Sequence, residues 1–132
     1  MVIATSRPEA FLTIASNGTH DLIVDAPVTK GGGARGLGPH ELLEGAIAAC
    51  INMAVRMCAA THQLPLRSVS ASVRIVRPDP QTTRFEYSVE MDGDLDEVQR
   101  ATLLEAAAVC PVRATLSRTL EFRASPESGF SQ

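Results

Sequence analysis

From His40 to about His62 the chain runs without a proline and with one glycine, Gly45. Pro39 suits the first position of a helix there, and Pro65 lies just beyond its end. Leu42, Leu43, Ala46, Ile47, Ala49, Cys50, Ile51, Met53, Ala54, Val55, Met57 and Cys58 cover most of the circumference. A helix apolar nearly all round is buried in a core or a subunit interface. A chain of 132 residues can hardly wrap about six helical turns alone. The helix therefore predicts a homo-oligomer. Asn52 and Arg56 interrupt it, and its many small residues argue against a membrane span.

The length predicts one domain over 1–132, with 1–8 and 125–132 as frayed ends. Residues 9–16 read as a first strand, Asn17-Gly18 as a turn and residues 20–25 as a second strand. Residues 68–77 alternate Val69, Ala71, Val73 and Ile75 with polar residues, and 83–91 return with Phe85, Tyr87, Val89 and Met91 on one face. Asp94-Leu95-Asp96-Glu97 resembles a capping box with Asp94 as the cap. The helix that follows ends near Cys110, because Pro111 disfavours the helical conformation before it. One or two further helical turns fit residues 112–117, and Thr119–Ala124 reads as a last strand. The predicted order is β-β-α-β-β-α-(α)-β, an α+β fold with antiparallel sheets.

Composition excludes several functions. The balance of 12 basic and 15 acidic residues, without a basic block, argues against nucleic-acid binding. Residues 30–38, KGGGARGLG, form a loop that lacks the GKS or GKT ending of a phosphate-binding loop. His20, His40 and His62 lack metal-ligand spacing, and no GxSxG elbow is present. No secretory leader is visible, and three scattered cysteines make no disulfide framework, so the expectation is a cytoplasmic protein with reduced thiols.

Cys110 precedes Pro111, where a new helical turn begins. Free backbone N–H groups at that start stabilise a thiolate. Cys50 lies midway along the apolar helix, where a cysteine is also an ordinary small hydrophobe. Together the two suggest a dithiol, in which one thiol is oxidised to a sulfenic acid and the other condenses with it. Cys58 stands about 80° round the helix and roughly 12 Å along it from Cys50. Those two cannot bridge while the helix persists, and Cys58 reads as core.

Gly38-Pro39-His40-Glu41-Leu42-Leu43, Ala48-Ala49-Cys50 and Cys110-Pro111-Val112 with Thr115-Leu116 resemble the OsmC/Ohr superfamily of thiol-dependent hydroperoxide reductases. The strand ahead of the glycine loop, residues 20–27, is also similar to OsmC-like members. The resemblance spans about residues 18–122. It implies an intertwined homodimer with sheets of both subunits around a long central helix. It implies Cys50 as the peroxidatic thiol and Cys110 as the resolving thiol. It further implies a small organic hydroperoxide as substrate, an external dithiol of the lipoyl type as reductant, and no bound cofactor.

Ohr-type members carry a glutamate directly after the proline and an activating arginine near the N-terminus. Here His40 follows Pro39 and Glu41 comes next, a GPxELL form similar to the OsmC-like branch. Glu41 lies about 180° round the helix and roughly 13 Å from Cys50. It would act only from the partner subunit or from a bent helix start, or else it stabilises the helix dipole. Arg7 and Arg35 are the candidate activating arginines, with Arg56 a third. An apolar pocket is expected near Leu42, Leu43, Ile47 and Met53. The competing expectation is a non-catalytic dimer that binds a small ligand or senses redox state.

Overall fold

A computed structural model describes residues 1–124. Strands β1 (Ile3–Ser6), β2 (Thr13–Ser16) and β3 (Asp21–Val24) form an antiparallel sheet in the order β1-β2-β3. A 3-10 turn (Val28–Lys30) and the glycine loop lead to helix α1 (Pro39–Thr61). Strands β4 (Leu66–Asp79) and β5 (Thr82–Gly93) form a long antiparallel hairpin. Helices α2 (Glu97–Ala108) and α3 (Pro111–Leu116) follow. The α+β class and the central helix agree with the sequence reading; both chain ends correct it.

Within the expected frayed end 1–8, Ile3–Ser6 is a strand, since β1 pairs with β2 from Ile3↔Ser16 to Ser6↔Thr13. The strand expected over 9–16 is only its second half. Residues 9–11 turn the chain instead: Arg7 N–H donates to Leu12 O at 2.9 Å, and Phe11 takes a φ of 28°. At the other end, 119–124 form no strand, and Phe122 is 93% exposed. The expected fraying of 125–132 lies outside the described residues. Asp96, not Asp94, caps α2: it accepts from Gln99 N–H at 2.8 Å, and Gln99 Oε1 accepts from Asp96 N–H at 3.0 Å.

The core is one stripe of α1, Ile47, Ile51, Val55 and Ala59, packed against Leu103 and Ala107 of α2, the hairpin's apolar face and Cys110. These α1 positions recur every four residues, which keeps them on one side of the helix. A neighbouring stripe is polar and works on β4. Glu44 Oε1 accepts from Ile75 N–H at 2.7 Å, and Asn52 Nδ2 donates to Val69 O at 2.8 Å. Both bonds satisfy backbone groups along the free edge of β4 that would otherwise invite another strand. A third stripe, with Met53 and Met57, is 57% and 69% exposed. By length and composition α1 could cross a membrane, but here one side of it is core.

Candidate active site

The local sequence brings two thiols together. Cys50 projects from the middle of α1 and is half-buried. Cys110 is 3% exposed and forms the N-cap of α3, accepting from Arg113 N–H at 3.4 Å. Pro111 supplies the first residue of α3, a position where a missing N–H costs nothing. This is the arrangement expected from the sequence: a thiol facing the free N–H groups of a helix start. Cys50 packs against the core cluster that includes Cys110, and Cys110 and Val112 lie near enough to shift its titration. All three cysteines are free thiols. Cys58 packs against the core, as expected.

Burial, then the neighbouring Cys110 thiol, pushes the Cys50 thiol above its ordinary value, and the Val112 N–H opposes them. Burial acts by disfavouring the charged thiolate. Cys50 opens into a trough of about 590 Å³ walled by Ala46, Met53, Met57, Ala106, Val109 and Val112. The wall is almost wholly apolar. The expected pocket is thus shifted along α1: Met53 lines it, while Ile47 is core and Leu42 and Leu43 lie elsewhere.

None of Arg7, Arg35 and Glu41 lines this trough. Glu41 Oε2 accepts from Gly38 N–H at 2.6 Å, so the carboxylate serves the start of its own helix. Arg35 Nη1 donates to Glu9 Oε1 at 3.2 Å. The backbone N–H of Glu9, then the Arg35 guanidinium, holds that carboxyl below its usual range, with Arg7 adding its charge nearby. Glu9 was not anticipated from sequence, since nothing local links it to a loop 26 residues away. Arg56 belongs to a separate, more polar groove beside Asn52 and Arg67.

The glycine loop is pinned rather than loose. Asp25 is 4% exposed, and its carboxylate accepts from Ala26 N–H at 2.8 Å and from Gly33 and Arg35 N–H, each at 3.1 Å. At Gly36 an added Cβ would lie 2.2 Å from Ile23 O. Asp25 and Gly36 together therefore fix where Arg35 leaves the loop.

This is a two-thiol site on an α+β scaffold. The family model described as OsmC-like protein matches residues 31–125, and the chain belongs to that family. A comparison with curated proteins finds no match. Among solved structures, a putative osmotic stress induced and detoxification response protein from Psychrobacter arcticus is 22% identical. It superposes with a TM-score of 0.73 over 86% of this chain and 85% of that one. An OsmC-like protein from Mycoplasma pneumoniae gives 0.72 at 18% identity, over 88% and 85%. An organic hydroperoxide resistance protein OsmC from Legionella pneumophila gives 0.59 at 22% identity, over 89% of each chain. At these identities the likeness is one of fold.

Proposed function

We propose that this protein reduces small organic hydroperoxides with Cys50 and Cys110, as a homodimer in the reducing cytoplasm. The observation that carries the reading is the Cys50 thiol opening into an apolar trough with the buried Cys110 close behind it. The Cys50 thiolate attacks the distal peroxide oxygen. An S–O bond forms, the O–O bond breaks, and the alkoxide leaves as the alcohol after taking a proton. Cys110 then attacks the sulfenic sulfur, a disulfide forms and water departs. An external dithiol, of the lipoyl type, returns two electrons and two protons.

A buried thiol raised by its surroundings needs a cation to become a nucleophile at neutral pH. Arg7 and Arg35, delivered by the second copy, are the candidates, with Glu41 as the acid that orients one of them. Apolar residues left uncovered away from the trough support the dimer: Ile3, Leu22, Ile23, Leu120 and Phe122. The raised Cys50 thiol also favours a second reading, a dimer that binds a small ligand or senses redox state without turning over.

Thiol counting by intact mass after one equivalent of cumene hydroperoxide separates the two. The wild type is expected to lose two thiols within seconds. Cys50→Ser should block that loss, and Cys110→Ser should accumulate the sulfenic acid. Three thiols surviving excess peroxide would leave the ligand-binding reading.

A further inference from the structure

We propose that Met53 is a second oxidation site, its thioether converted to the sulfoxide by a hydroperoxide held in the Cys50 trough. The inference rests on the reading that this trough admits hydroperoxides. Met53 follows Cys50 by three residues, which places it about 60° round α1 and roughly 4.5 Å along it. Both side chains line the same trough. Its other nearby walls, Ala46, Ala49, Ala54, Ala106 and Val109, carry nothing that reacts with a peroxide. Met57, one turn further on, also lines the trough but stands farther from the thiol, where the O–O bond must lie.

The two sulfurs differ in what they need. Cys50 must lose a proton against burial and against the adjacent Cys110. A thioether attacks with a lone pair that no proton blocks. Once Cys50 is tied to Cys110 as a disulfide, Met53 is the nearest reducing sulfur left in the trough. Its sulfur attacks the distal oxygen, an S–O bond forms and the O–O bond breaks. The leaving alkoxide takes the proton that the distal oxygen carried, directly or relayed by water, so the sulfoxide forms and the alcohol departs. The hydroperoxide is reduced by two electrons and the thioether oxidised by two. The product places a sulfoxide dipole in an apolar wall, which disfavours apolar ligands. Excess hydroperoxide would thus weaken the trough for its own kind.

The test is peptide mapping by mass on the full-length protein and on Cys50→Ser and Cys50→Ala. Cumene hydroperoxide and hydrogen peroxide are compared, with free N-acetylmethionine in the same tube as reference. Met1, 68% exposed and outside the trough, serves as the internal reference. With cumene hydroperoxide Met53 should gain one oxygen about ten-fold faster than Met1, the advantage of a held reactant. With hydrogen peroxide it should gain none of that advantage, since that molecule has no apolar group for the trough to hold. Equal rates for Met53 and Met1 with cumene hydroperoxide would overturn the proposal. If the wild type still loses the Cys50 thiol in that experiment, only the role of Met53 fails. If Cys50 is inert too, the peroxidase reading fails with it.

Discussion

Asp25 shows how much one buried carboxylate can organise. Its three backbone donors, the Arg35 N–H foremost, lower its pKa from the ordinary 3.8, with burial opposing them. A carboxyl whose folded pKa is lowered contributes stability that is fully present above its unfolded pKa. That contribution is lost as pH falls through the folded value. Asp25→Asn keeps the shape and one acceptor oxygen but removes the charge. Its melting temperature should fall below that of the wild type near pH 7, and the gap should narrow as pH falls below 3.8 and through the lowered folded value. Thermal melts at the two pH values check this; a gap that persists in acid would mean that shape, not charge, holds the loop. Gly36 adds a steric version of the same constraint. Gly36→Ala would drive a Cβ against Ile23 O and should cost about 2 kcal/mol or more. The fixed loop was not legible in the sequence, where five glycines in 30–38 read as freedom. The constraint comes from a carboxylate eight and ten residues upstream of the groups it holds.

At the scale of elements, α1 divides its circumference among three tasks: core, attachment to β4, and the trough wall. The core stripe leans on Leu103, which has no exposed surface. Leu103→Ala should cost about 3 kcal/mol, in the range for truncating a fully buried leucine. Asn52→Ala removes one bond to the β4 edge and should cost about 1 kcal/mol. Denaturant melts with unchanged slope test both values. A smaller effect for Leu103 than for Asn52 would mean that attachment, not burial, sets the stability of α1. The helix itself was legible, because Pro39 marks its start and no proline interrupts it. The β4–β5 hairpin was legible because alternation with one wet face is specific to a strand. The N-terminal strand was not: Ile3-Ala4-Thr5-Ser6 holds one large apolar residue and is a strand only by pairing with β2. The shift of the α2 cap has a local cause. Asp94 and Asp96 offer similar caps, and Leu95 packs on the core when the helix starts at Glu97.

At the scale of the whole molecule, the candidate site divides between what one chain builds and what a second must bring. The paired thiols were legible because Cys110 precedes a proline that starts a helix and Cys50 lies on the most buried-looking helix of the sequence. The activating group was not, since no spacing along the chain says which arginine meets a cysteine of another copy. Within one chain Arg35 is engaged by Glu9, and the surroundings of Cys50 raise its pKa. A dimer that brings one of these arginines to the trough would reverse that shift, because an adjacent cation favours the thiolate. The pH profile of iodoacetamide modification at Cys50, read on a Cys58→Ala, Cys110→Ala background so that one thiol reports, measures this directly. In the dimer the midpoint should lie below the ordinary thiol value. Adding Arg7→Ala or Arg35→Ala should raise it by about one unit for the arginine that reaches Cys50, and leave it unmoved for the other. Phe122→Glu, at an exposed apolar position in the segment that reads as a strand but forms none alone, should weaken the dimer and raise the midpoint too. Light scattering on the same samples ties the shift to dissociation. A midpoint above the ordinary value in an intact dimer, unmoved by either arginine change, would remove the activating arginine from the mechanism and favour the ligand-binding reading of the trough.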